Sequence, residues 1–399
     1  MNPIGIITFS DFFFLLNIHG HKNWSILACL IKFYAMKSSL LISTLLLFSL
    51  NLVSQEYIAC ARKDKEWGYI QMNGSWVINP QFEHVHDFIE GLAAVRKIKE
   101  WGFVDKKGQF VINPQFVDVL DFADGLAAVK KDKEWGYVGK DGKWVINPQF
   151  ESAANFNHEL ARVKSGGEWG YINDEGKYVI NPQFNDAEDF YEGLAPVKKD
   201  KFWGYIDKKG SWAINNQFDL ALPFTDGVAI VRKNGEWGVI NSKGTYLINP
   251  QFEYMRPYSD GLAAVRKDGS WGFVDEKGTY IINPQFDDAN SFSNGLAAIR
   301  KGKEWGFVDK TGKYAINPQF EEVTDFSNKI AGARIGKDWG FVDQKGSWIV
   351  NPQYEKINNF DNQMARVRKA GEWGWIDPSG KYIINPQFAN AMDFVKVGK

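Results

Sequence analysis

Two cysteines, Cys29 and Cys60, and five histidines are all that a chain of 399 residues offers for thiol or imidazole chemistry. Two cysteines cannot build a disulfide framework, so the fold has to stand on packing. His84, His86 and His158 are the histidines past the N-terminal region, and their spacing matches no zinc site, so no metal ligand is assigned. Charge of one sign is missing as well. Lys and Arg total 47 against 48 Asp and Glu, a net charge of −1. A nucleic-acid binder carries a basic excess, so no nucleic-acid partner is expected. Nucleophile elbows, phosphate-binding glycine loops and dinucleotide fingerprints are absent. No catalytic residue and no cofactor are therefore assigned, and the chain is not expected to be an enzyme.

Long apolar runs are scarce too. Residues 36–54 read MKSSLLISTLLLFSLNLVS: a Met, one Lys, an apolar run from Leu40 to Val53 and a small residue at Ser54. These are the three regions of a secretory signal peptide, and the run is short for a membrane span of about 20 residues. Export to the periplasm, cell surface or medium is expected, with no membrane span in the mature chain. Residues 1–35 do not belong ahead of such a signal, so Met36 reads as the true start and 1–35 as a mis-assigned N-terminal extension, with a double-span anchor over residues 4–17 and 25–53 as the alternative. Lipidation of Cys60 is disfavoured. Tyr57-Ile58-Ala59-Cys60-Ala61-Arg62-Lys63 aligns with Gly91-Leu92-Ala93-Ala94-Val95-Arg96-Lys97, which puts Cys60 at an alanine position.

What the chain does have is 16 Trp, 38 Gly and 15% aromatics, a β composition of flat surfaces joined by tight turns. Trp-Gly pairs begin at Trp67, Trp101, Trp135, Trp169, Trp203, Trp237, Trp271, Trp305, Trp339 and Trp373, always 34 residues apart. Residues 55–399 are thus ten copies of one unit. Helical hairpins of this period exist, but Gly after each Trp, Gly seven residues on, and Pro in nine of ten copies leave no room for two helices.

Alternation predicts three strands per unit: Leu126–Lys130, Glu134–Val138 and Trp144–Asn147. Two-residue turns such as Asn234-Gly235 join the first two. A loop such as Asp207–Gly210 closes on a Gly that recurs in all ten copies. One face collects Trp135, Tyr137, Trp144 and Ile146, the other Ala127, Val129, Val138 and Val145. The Trp reads as the core anchor of each unit, and the Gly beside it as admitting the next unit. The stretch from Asn-Pro-Gln-Phe to Asp-Phe reads as a connector. Units shorter than about 40 residues rarely fold alone, so stability has to come from stacking. Propellers usually hold four to eight blades of four strands. The expectation is therefore an all-β open solenoid or superhelix of three-stranded antiparallel meanders, with a closed propeller-like toroid as the alternative.

The Trp-Gly-aromatic-aliphatic-Asp strand, the closing Gly and the Ile-Asn-Pro-Gln-Phe block resemble the bacterial WG, or KWG, repeat family over residues 57–399. That resemblance implies β-rich tandem arrays, often exported, with interaction roles and no general activity. Asn216 departs from the pattern at the Pro and Tyr354 at a Phe. Glu159, Lys329 and Gln363 replace the Gly ahead of the first strand, so altered connectors are expected in those three copies.

Three columns are candidate surfaces. The aromatics after the closing Gly, among them Trp76, Phe110, Trp144, Tyr178 and Trp212, are expected to pack into the core, and only if they faced solvent would they form a ligand ladder for sugars. A basic residue stands across from each Trp, from Arg62 to Arg368, where a cation–π contact is the expected use. Recurrent amides such as Asn113 and Gln115 are expected to cap backbone or bridge units. Protein partners are expected, with a cell-envelope glycan as the alternative. Sequencing the N-terminus of the native protein is expected to give Gln55 as its first residue, and any peptide from 1–35 would contradict the assigned start.

Overall fold

The computed structural model describes residues 57–397. By contacts the chain falls into two units, 1–55 and 56–399. The proposed extension and signal peptide lie outside the described residues. Among those described, every regular element is a strand, and no helix is long and apolar enough to cross a membrane.

Ten antiparallel sheets follow one another, nine with four strands in sequence order and the first with five, where three per unit were expected. The extra strand comes from the stretch read as a connector. Asp118–Val119, for instance, pairs with Lys130 and Val129, and an antiparallel bridge from Ala123 to Leu126 continues the pairing down to the turn. The Phe of each Asp-Phe therefore belongs to the following blade.

The array is closed, which corrects the open superhelix. The first sheet takes its short strands from the far end of the chain. Ala61 pairs with Ala391 and Arg62 with Asn390, and Tyr57 pairs with Lys396. Blade 1 is thus residues 57–82 completed by 390–396, and blades 2 to 10 follow in order. The molecule is a ten-bladed propeller. Short strands of neighbouring blades touch directly: Ser259 Oγ donates to Phe292 O at 2.6 Å and Ser327 Oγ to Phe360 O at 2.8 Å. In a ring of radiating sheets, such closest approach marks the inner edge, so the short strands line the axis. The fourth strands, which meet only through long side chains, form the rim.

The seams hold the core. In nine of the ten units the residue two past the Trp is an aromatic and is fully buried, as Tyr137 and Phe307 are at 0% exposure. It packs on the Asp-Phe ring of the next blade: Tyr137 on Phe156 at 5.0 Å and Phe307 on Phe326 at 4.7 Å. Trp375 meets Phe394 at 5.2 Å and closes the ring by the same contact. Such pairs contribute about 0.5–1.5 kcal/mol beyond area burial. Tyr69, Tyr137, Tyr171 and Tyr205 also donate their hydroxyls to a carbonyl of the next blade, at 2.6–2.9 Å.

Two glycine roles differ from the expected ones. A Cβ on Gly136, beside Trp135, would lie 2.5 Å from Ile146 O and 2.7 Å from Pro148 N, both in its own blade. The Asn-Pro-Gln bulge folds over that glycine: Trp135 pairs with Phe150 but Tyr137 with Ile146. The glycine that admits the neighbouring unit is the closing one, since a Cβ on Gly142 would meet the Ile112 side chain at 3.2 Å. A second shift pairs Val138 with Trp144, which moves Trp144 onto the face expected to be small.

The connectors of copies with Glu159, Lys329 and Gln363 are not altered. Asn157, Ser327 and Asp361 make the same bridges as elsewhere. Glu159, Lys329 and Gln363 adopt φ of 72°, 66° and 64°, the left-handed conformation Gly takes in the other copies. For a residue with a Cβ this costs about 1–2 kcal/mol. Glu159→Gly, Lys329→Gly and Gln363→Gly are each expected to raise stability by about 1 kcal/mol in chemical denaturation. Unchanged or lowered midpoints in all three would contradict the turn assignment.

Candidate functional site

The Trp column sits near the end of each blade that carries the hairpin joining its second and third strands. Strand register sets the basic column across from it, as in Arg62 opposite Trp67 and Lys130 opposite Trp135. The cation lies 5.8–6.0 Å from the ring at Trp67, Trp135, Trp305 and Trp339. At Trp169, Trp271 and Trp373 another guanidinium covers the ring, from Arg162, Arg256 and Arg366 at 4.7–5.6 Å. Trp67, Trp203, Trp237 and Trp271 are buried and the other six are part-exposed, so the deepest anchor is the aromatic two residues on.

The ladder is a row of seam staples on the rim. Trp76, Phe110, Trp144, Tyr178 and Trp212 stand edge-on against Phe388, Phe82, Phe116, Phe150 and Phe184 of the preceding blade, at 5.5–6.3 Å. Trp144, Tyr178 and Trp212 stay 36–39% exposed. The rings sit one per blade. The Gln115 amide caps its own strand, with Nε2 donating to Asn113 O at 3.3 Å, and Lys131 Nζ of the next blade donates to the Gln115 backbone carbonyl at 2.8 Å. In other copies the amide itself bridges blades, as Lys233 Nζ donates to Gln217 Oε1 and Lys369 Nζ to Gln353 Oε1, both at 2.8 Å.

A polar latch on the inner wall went unread. His86 Nδ1 lies 2.8 Å from Asp121 Oδ1 in the next blade. Asn290 and Asn358 donate to Asp325 and Asp393 in the same way, at 2.9 and 2.8 Å. All three pairs are 35 residues apart, a signal visible in the sequence only once the short strands are known to stack. His86 also packs on Trp101 at 4.8 Å. Its pKa is raised by the hydrogen bond to Asp121, against the opposing effect of burial, with Asp87 and Asp118 adding to the rise. Nearby, the Cys60 thiol donates to Asp87 Oδ1 at 3.3 Å. Burial holds that thiol well above its ordinary range, so it is a poor nucleophile, and its burial leaves no room for a lipid.

On the hairpin end of the ring, single copies break the repeat with exposed apolar residues. Ile98, at the tip of the blade 2 hairpin, is 82% exposed with φ of 53°. Val117, 55% exposed, occupies a position where seven other copies place a carboxylate. Glu151, for example, accepts from the turn amide Gly167 N at 3.1 Å. Tyr254, 46% exposed, is wedged between Trp237 and Trp271 at 5.8 and 5.6 Å. Phe202 replaces a charged or polar residue, and Ile335 a residue that is Lys in eight copies and Ser in one. Among the described residues no group of His, Cys, Asp or Glu is arranged to hold a metal.

The family described as "WG containing repeat" matches ten consecutive segments, starting at 67–97, 101–135 and 135–169 and ending at 339–373 and 373–398. The chain belongs to the WG-repeat family. No curated protein matches it by sequence. Among solved structures, this WG-repeat ring is similar to a eukaryotic initiation factor at 10% identity, over 85% of this chain and 98% of that one, with a TM-score of 0.49. It is also similar to Hsv2p of Kluyveromyces lactis at 10% identity, over 59% of this chain and 96% of that one, with a TM-score of 0.33. PorZ of Porphyromonas gingivalis is 10% identical over 82% of this chain and 52% of that one, with a TM-score of 0.27. Likenesses this distant carry no functional argument, and the ring rests on its own strand pairing.

The His86 latch makes stability pH-dependent. A pKa raised by folding contributes stability that is full below the ordinary value of 6.5 and is lost as pH rises through the folded value. His86→Asn, which installs the side chain found at Asn290 and Asn358, is expected to remove that dependence. Melts of wild type and variant should differ more at pH 5.5 than at pH 8.5, and a difference independent of pH would contradict the latch.

Proposed function

We propose that this WG-repeat ring is an exported, non-catalytic scaffold that binds a protein partner through the face carrying the hairpins. The observation that carries this reading is Ile98. A β-branched residue in a left-handed turn is strained, and an 82% exposed side chain has almost no packing within the fold to offset that strain. Its place is explained if the side chain is buried against another molecule. Val117, Phe202, Tyr254 and Ile335 stand on the same end of the ring, where burial against a partner would contribute roughly 25 cal/mol per Å².

The alternative is a cell-envelope glycan bound at the rim, supported by the partial exposure of Trp144, Tyr178 and Trp212. Crosslinking in the native cell separates the two. Ile98→Asp and Tyr254→Ser are expected to abolish a crosslinked protein species present with wild type, at unchanged melting temperature. The same species surviving in both variants would overturn the hairpin-face reading. Binding on a glycan array that is lost in Trp144→Ala would favour the glycan. Export is tested separately, by recovery of the native protein outside the cytoplasmic fraction.

A further inference from the structure

The opposite end of the ring carries the turns between first and second strands and those between third and fourth. There the third-to-fourth turn of one blade reaches the first-to-second turn of the blade before it. In blade 3, Lys140 Nζ donates to Glu90 O at 2.9 Å and pairs with the Glu90 carboxylate at 3.0 Å. Lys208 of blade 5 donates to His158 O at 3.2 Å. Lys310 of blade 8 reaches Asp260 O in the same manner. In blade 9 the donor is Gln344, 2.9 Å from Asn294 O. Each pair is 50 residues apart, so one carbonyl position in the fold is repeatedly used to accept a cationic or amide donor.

At the seam between blades 3 and 4 the equivalent pair is Asp124 and Asp174. Two carboxylates cannot bridge, and a cleft of about 560 Å³ opens there, lined by Asp124, Leu126, Phe156, Leu160, Asn173 and Asp174, with His158 and Glu159 also at its border. Its chemistry is divided. Leu126, Phe156 and Leu160 supply apolar surface, and the acids supply negative charge. The seam between blades 6 and 7 repeats the like-charge pair as Asp226 and Glu276. There Tyr258 stands where blade 4 has Phe156, and its hydroxyl donates to Asp275 O at 3.3 Å across the equivalent space.

We propose that the cleft between blades 3 and 4 receives a lysine side chain from a partner protein. The ammonium takes the place that Lys140, Lys208 and Lys310 occupy at their own seams, and the four-carbon stem lies on Leu126, Phe156 and Leu160. An ammonium on an aliphatic stem suits a site lined by both apolar side chains and carboxylates. The source of the lysine rests on the reading of the ring as a protein-binding scaffold. The cleft lies on the face away from Ile98, so the two surfaces fail separately.

Saturation-transfer NMR on the full mature chain tests this with Nα-acetyl-lysine amide, and with Nα-acetyl-norleucine amide as the uncharged control. Transfer to the lysine derivative but not the norleucine derivative is expected. Asp124→Asn should weaken it, and Asp174→Lys, which restores the internal donor, should reduce it at least about tenfold, a loss of roughly 1.4 kcal/mol. Asp174→Lys should also melt at or above the wild-type temperature, because it installs the residue that four other units carry at this position. Ile98→Asp should bind the probe as wild type does. Equal transfer to norleucine, undiminished transfer in Asp174→Lys, or a lowered melting temperature in that variant would each overturn the proposal.

Discussion

The aromatic pair at each blade seam is the contact on which the rest of the structure depends. A unit of 34 residues cannot bury enough surface to fold alone. Its most buried ring therefore does its packing against the next unit. Tyr69 on Phe88, Phe103 on Phe122 and Phe341 on Phe360 are the same contact, at 4.8–4.9 Å. The fold spreads this contact around the ring, and Trp375 on Phe394 brings the last unit back to the first. Blade 6 is the exception, with Val239 in place of the ring and Tyr258 facing it from blade 7.

The invariant parts of the unit serve that seam. Gly136 lies under the Asn-Pro-Gln bulge, which brings Phe150 opposite Trp135. Gly142 lets the Ile112 side chain of the previous blade approach its turn. These positions leave little freedom, so variation collects at hairpin tips, on the inner wall and in the turns. Ile98, the His86–Asp121 pair and Asp174 each belong to one of those regions. A scaffold of near-identical units acquires its distinct surfaces where a copy departs from the others, and the ring arranges those departures on its two opposite ends and its inner wall.

Much of the unit was legible before the fold was known. The 34-residue Trp-Gly period marks out the blades, and turn pairs such as Asn234-Gly235 mark the hairpins through their tolerance of positive φ. The fourth strand was not legible. Asp118–Val119 is two residues long and alternation needs more, so Asp-Phe looked like a plug on a connector. With three strands per unit, a ring seemed the poorer choice; with four, the closure by 390–396 follows. The bulge hid the glycine roles, since a regular register would have put Gly136 against the neighbour. Asp174 beside Asp124 was invisible for a related reason, because residues 50 apart become neighbours only when blades stack. The aromatic column was read at the right positions, but the partner of each ring was not legible, since Trp144 stands against Phe116 of the preceding blade.

Closure through a shared blade is the central claim, and hydrogen exchange along the mature chain addresses it most directly. In a ring, strand Tyr57–Lys63 is paired on both sides, with Glu66–Gln71 and with the short strands of residues 390–396. Its amides, and those of Ala391 and Val395, are then predicted to exchange as slowly as the matching amides of blades 4 to 7. In an open array both ends would fray, because their outer faces would lack a neighbour. Exchange at 57–63 and 390–396 much faster than in the interior blades would contradict the ring.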